Sequence, residues 1–157
     1  MLKLRTLLAT GTALILTGLA AAVQVTYVSG KGHDSGNCQN PSNPCRTFQF
    51  AVNQTAAGGE VKALDPADYR HVTINKSISI TGVDGAGIDT NGGNAITLSI
   101  GSAAINLANL IIQNVSGSGT NGILSSSASV TITHCTVRGF STGIALSSGT
   151  VFVIADT

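Results

Sequence analysis

Side chains able to do chemistry are few in this chain, and most of them stand apart. Asp65, Asp68 and Arg70 lie together in Asp65-Pro-Ala-Asp-Tyr-Arg70. Two carboxylates held about 5–9 Å apart across a sugar can hydrolyse a glycosidic bond. An Asp before Pro also opens turns, and a turn is the expectation here. Gly30-Lys-Gly-His-Asp34 and Gly85-Ala-Gly-Ile-Asp89 share the G-x-G-x-D spacing of calcium-binding repeats. Such repeats complete each oxygen shell by stacking consecutive copies, which two isolated copies cannot do. Asp84 and Asp89 are left as weak calcium candidates, with turn formation at Asp84-Gly85 preferred.

Gly117-Ser-Gly-Thr-Asn-Gly122 spells G-x-G-x-x-G. A dinucleotide site needs a helix next and an acid about twenty residues on. Another strand, Ile123-Leu-Ser-Ser-Ser, follows instead, and no acid arrives before Asp156. The motif reads as a corner. His33, His71 and His134 are scattered and form no i, i+4 pair. No catalytic residue, no cofactor and no firm metal site is therefore expected. Asn53, Asn75 and Asn114 open N-x-S/T sequons that matter only in a host that glycosylates.

Three cysteines allow one internal bridge. Cys38 and Cys45 flank a Pro- and Asn-rich loop and are expected to be bonded. Their spacing, with no second Cys or His pair near, is poor for zinc. Cys135 lies in the alternating stretch Val130–Val137 and reads as a buried thiol with nothing nearby to activate it.

The elements that must carry these residues are short. Gly, Ser, Thr and Asn make up about two fifths of the chain, and only 10% of residues are charged. That mixture suits short strands and tight turns better than long helices. Net charge is +1, which advertises no polyanion-binding surface, and no nucleic-acid partner is expected. Residues 1–22 have the parts of a secretory signal: Lys3 and Arg5, the apolar run Thr6–Leu19, then Ala20-Ala21-Ala22. The run is too short and too interrupted for a comfortable membrane span. The mature chain is expected to be secreted or periplasmic, with no membrane span, where disulfides persist.

Internal repetition decides the fold. Gly122-Ile123 recurs as Gly143-Ile144, and Val130 aligns with Val151 at the same 21-residue offset. Asn94–Leu98 matches the segment starting at Asn121, and Leu107–Gln113 matches Ile132–Arg138 at an offset of 25. Val72–Ile74 and Ser77–Ile80 supply an earlier turn. Such periods, with β-branched triplets and Gly or Asn corners, indicate a solenoid. Each turn reads as three strands, and the clearest turn has Gly122–Ser125, Val130–Thr133 and Cys135–Arg138. Ile123, Val130, Ile132, Cys135 and Val137 would point inward. A leucine-rich repeat would need a Leu-x-x-Leu-x-Leu frame that is missing. The fold class is all-β: a right-handed parallel β-helix.

Residues 23–59 differ from the rungs at 60–157. Thr26–Ser29 reads as a strand, and Arg46 to about Ala57 as a helix burying Phe48, Ala51 and Val52 and stopped by Gly58-Gly59. This helix would plug the open end of the solenoid.

Tyr27-Val-Ser-Gly30, Pro44-Cys-Arg-Thr-Phe48, Ala57-Gly-Gly59, Asp65-Pro-Ala-Asp-Tyr69 and Val72-Thr-Ile74 resemble the opening of secreted right-handed β-helix repeat proteins of the pectate-lyase-like superfamily. The resemblance implies the fold. Enzymes of that superfamily work in a groove on one strand face, with clustered acids, Arg or Lys, and calcium in the lyases. The strands aligned with that face are Glu60–Leu64, Ala95–Leu98, Gly122–Ser125 and Gly143–Leu146, whose outward Lys62, Thr97, Leu124 and Ala145 supply no such set. The expectation is a non-catalytic module with a structural, adhesive or weak glycan-contact role. Its partner would be an extracellular polysaccharide or cell-surface component. The alternative is a fragment or relative of a polysaccharide lyase or glycoside hydrolase. The corner Thr81–Asn94 is the longest and the expected place of ligand contact. At the other end the rungs look truncated, with Val151–Ile154 as last strand and Asp156 at the position of Leu110 and Cys135. That open end is expected to self-associate or to need a partner.

Overall fold

A computed structural model describes residues 22–101, 103–126, 129–147 and 151–155. The expected signal, apart from Ala22, lies outside the described residues, as does Asp156. The described residues form a parallel β-solenoid of about 3 turns with one short helix. Its elements are β1 (Val25–Val28), α1 (Phe48–Gln54), β2 (Gly59–Ala63), β3 (Val72–Ile74), β4 (Ile78–Thr81), β5 (Gly87–Thr90) and β6 (Ile96–Leu98). They continue with β7 (Ala104–Ala108), β8 (Ile111–Asn114), β9 (Gly119–Ser125), β10 (Ser129–Thr133), β11 (Thr136–Arg138), β12 (Phe140–Leu146) and β13 (Val151–Ala155).

Three parallel sheets run along the axis: β1-β2-β4-β7-β10-β13, β5-β8-β11 and β3-β6-β9-β12. The repeats aligned at 27 and 25 residues are direct neighbours, Ile96 beside Ile123 and Leu107 beside Ile132. Alternation along each strand turns one apolar side chain of every pair inward. Like residues thus stack as buried columns, one in each sheet: Val72, Ile96 and Ile123; Ile80, Leu107 and Ile132; Ile88 and Ile112. Corners are equally regular. Asn109 and His134, aligned by sequence, both turn the chain with positive φ, at 56° and 52°.

The N-terminal plug forms for local reasons. Asp34 Oδ1 accepts from the backbone N–H of Arg46 and Thr47, at 2.8 and 2.9 Å, and Oδ2 accepts from Thr47 Oγ1. Thr47 in turn caps α1 by accepting from Phe50 N. Phe48, Ala51 and Val52 are buried as expected, and α1 packs on β1, β2 and β3. The helix is shorter than the sequence suggested. Thr55 adopts an extended backbone and turns its hydroxyl back onto Ala51 O at 2.7 Å, which ends the helix before Gly58-Gly59.

Four further expectations are corrected. The first strand is Val25–Val28 rather than Thr26–Ser29, shifted because its register is set by pairing with Glu60–Ala63. That pairing also places β2 in the six-stranded sheet, not on the groove-equivalent face, where β3 stands instead. Lys62 is accordingly no groove cation; its Nζ lies 3.3 Å from Glu60. Thr81–Asn94 is not one loop, because Gly87–Thr90 pairs with Ile111–Asn114 as β5. Finally, Val130 pairs with Phe152, and Ser129 with Val151. The 21-residue offset holds for Ile123 and Ile144, but the connection to β13 carries one more residue than the one before it. The placement of Asp156 opposite Cys135 rested on the uncorrected offset. At this end Leu146, Val153 and Ile154 are exposed.

Candidate functional site

Cys38 and Cys45 are bonded, and Cys135 is free and buried. Burial holds the Cys135 thiol above its ordinary range, although backbone hydrogen bonds with Leu110, Thr133 and Asn109 pull the other way. The loop closed by the bridge spans a separation of 7 residues. Reduction is expected to cost about 2–3 kcal/mol by the chain-entropy model. A lower urea midpoint at unchanged slope, in reducing against non-reducing buffer, would register it.

The acids of Asp65-Pro-Ala-Asp68 hold the backbone. Asp65 accepts from Ser29 Oγ at 2.6 Å, Gly30 N at 2.8 Å and Tyr69 Oη at 2.5 Å. Burial alone would raise its carboxyl, but Ser29, Tyr69, Gly30 and Lys31 outweigh that and hold it below the ordinary range. Burial and the same carboxylate push the Tyr69 hydroxyl up. Asp65 thereby ties the strand end at Ser29 to the first corner. Asp68 Oδ1 accepts from Arg70 N at 2.7 Å and from Asp89 N at 3.0 Å, linking that corner to β5. Arg70 needs this support, since its φ is 64°.

What the topology does assemble is a depression of about 550 Å³, lined by Asp68, Arg70, His71, Asp89, Asn91 and Val115 among others. Asp84, the other calcium candidate, lines a different depression, with Gly85, Asn109 and His134. Among the described residues no group of three or more His, Cys, Asp or Glu is placed to hold a metal. His33 donates its backbone N–H to Pro44 O in the disulfide loop. Gly117 of the G-x-G-x-x-G run turns a corner at φ 76°, and Gly119 and Gly122 lie within β9.

Two residues not singled out as site candidates complete the picture. Asp89 pairs with Gln113, and Gln113 with Arg138, in adjacent strands. Gln113 Oε1 accepts from Arg138 Nε at 3.0 Å and Nη2 at 2.6 Å. Aligned at 25 residues, Gln113 and Arg138 were already opposite one another in the sequence. The third member was hidden by reading Gly87–Thr90 as a loop. The signal for it is Gly-Ile-Asp-Thr laid over Ile-Ile-Gln-Asn at an offset of 24.

Asp89 Oδ1 is buried without a hydrogen-bond partner among the described residues. Burial raises this carboxyl above its ordinary value of 3.8; Gln113 opposes, Asp68 adds to the rise, and Arg138 opposes. A carboxyl raised on folding keeps its proton longer in the folded chain. The folded state therefore loses stability as pH climbs through 3.8 and stays penalised above its raised value. Asp89→Asn is expected to raise Tm by roughly 1–3 °C at pH 7. The difference should vanish below pH 3.8, which paired thermal melts at the two pH values would show.

No family model, curated protein or solved structure matches the chain.

Proposed function

We propose that the chain is a secreted, right-handed β-helix module of the pectate-lyase-like kind that contacts glycan without cleaving it. The observation that carries this reading is the column Asp89, Gln113 and Arg138 beside the polar depression. Planar carboxylate, amide and guanidinium groups suit paired hydrogen bonds to sugar hydroxyls. Bracing roles for Asp34, Asp65 and Asp68 favour contact over catalysis, because an acid tied to several backbone donors is a poor proton donor. The Cys38–Cys45 bridge fits an oxidising, extracytoplasmic compartment.

One observation supports the enzymatic alternative. Asp89, with its raised carboxyl and unpartnered Oδ1, shares the depression with Asp68 and His71, a setting in which general acids are found. Affinity electrophoresis and a reducing-end assay separate the two readings, using a neutral 1,4-linked glucan and polygalacturonate, with and without calcium. The expected result is retardation by glycan, with Kd in the roughly millimolar range, and no new chain ends. Turnover that disappears on Asp89→Ala would replace contact by catalysis.

A further inference from the structure

We infer that the outward face of β5, β8 and β11 carries a neutral glycan lying along the solenoid axis, one sugar residue per rung. This rests on the glycan-contact reading and adds to it a path, a length and a charge class.

The path follows from register. Asp89, Gln113 and Arg138 occupy one column, each directly opposite the next. Neighbouring strands stand about 4.8 Å apart, close to the advance of one residue in an extended 1,4-linked sugar chain. Successive sugars can then meet successive side chains in phase. A chain crossing the sheet at right angles would meet only one of the three.

Pre-organisation supports the same path. Arg138 grips Gln113 Oε1 with two N–H groups, so both planar side chains are fixed before a ligand arrives. The amide oxygen faces Arg138, so the amide NH₂ is turned toward the preceding rung, where Asp89 stands. Arg138 keeps three of its five N–H groups for another acceptor. With one Gln113 N–H turned onto Asp89, the groups left along the axis are the Asp89 carboxylate, the second amide N–H of Gln113 and the free N–H groups of Arg138: acceptor, donor, donor. A hydroxyl both donates and accepts, and so satisfies every position; a carboxylate satisfies only the last two.

Charge argues likewise. Asp68 and Asp89 stand together at one end of the path, and Asp68 is held there by two backbone N–H groups. Arg70 at the depression and Arg138 at the far end balance them. A path with two acids and two guanidiniums has no net field to gather a polyanion, and the paired acids repel one.

The test is calorimetric titration of the full chain with neutral 1,4-linked glucan oligomers of two to six residues and with oligogalacturonates of the same lengths. Affinity for the neutral series is expected to rise up to three residues and then level. Arg138→Ala should lower trimer affinity roughly five- to tenfold, to the level of the dimer. Arg138→Lys, which keeps the charge but loses the fork, should lose the same. Asn106→Ala, on the outward face of the six-stranded sheet, should change nothing. Glycan binding indifferent to Gln113→Ala and both Arg138 variants would overturn the path and leave the contact reading standing. Tighter binding of oligogalacturonate would overturn the charge class. If neither series binds, the contact reading falls, and this inference with it.

Discussion

Gly82→Ala is expected to destabilise the solenoid by about 3 kcal/mol or more, the range reserved for changes with no room to relax. Gly82 sits at the corner between β4 and β5, donating its N–H to Ala108 O at 2.8 Å. A methyl placed there would collide with the carbonyl oxygen of Asn109, one rung on, and would meet Leu110 Cδ2 at 2.9 Å. The obstacle is backbone at a corner whose own φ is already positive, so it cannot step aside without breaking the stack. Gly101→Ala is the matched control. Nothing lies within 4 Å of its added methyl, and its effect should stay within about 0.5 kcal/mol. Urea denaturation of the two variants would separate a tight corner from a loose one. Equal midpoints would mean that the corners are not in van der Waals contact.

The second large effect is expected at the plug. Phe48 is wholly buried, its ring centroid 4.7 Å from that of Tyr69, and its N–H donates to Tyr69 O at 3.2 Å. Phe48→Ala would empty the space between α1 and the first rung, at about 3–5 kcal/mol for a phenyl ring lost from a packed core. Tyr69 depends on that packing to hold its hydroxyl on Asp65. The loss should therefore also loosen the tie from Asp65 to Ser29 and Gly30. The check is a urea midpoint together with near-ultraviolet dichroism of Tyr69. A variant within 1 kcal/mol of the parent would mean that α1 is an ornament rather than a plug.

Much of the architecture was legible because a solenoid repeats its own core. Ile96 and Ile123, or Leu107 and Ile132, announce each other as neighbours by type and by offset. Legibility stopped where pairing has no repeat behind it. Val25–Val28 joins Glu60–Ala63 across a separation of 35 residues with no sequence likeness, so the sheet that β2 enters was misassigned. Gly87–Thr90 looks like turn chemistry, and only the strand beside it makes it a strand. Register at the last rung slipped because one extra residue in a connection moves every later partner by one. For the candidate site, the same causes apply. Asp68, Arg70 and Asp89 were visible one at a time. Asp89 joined Gln113 and Arg138 only once β5 existed, and Asp84 left the group because its corner faces another depression.

The buried thiol has a use that no other side chain offers. Cys135 lies under the corner formed by His134, with Sγ 3.3 Å from Thr133 O and 3.6 Å from Leu107 O. Burial disfavours its ionisation, and it is the thiolate that attacks an alkylating reagent. Reaction must therefore wait for this corner to lift away from the rung before it. Labelling rate, measured as a function of denaturant, then becomes a clock for that single opening, independent of whether the plugged end has moved. If the rate responds weakly to denaturant, the corner lifts on its own; if it follows global unfolding, the three rungs move as one body.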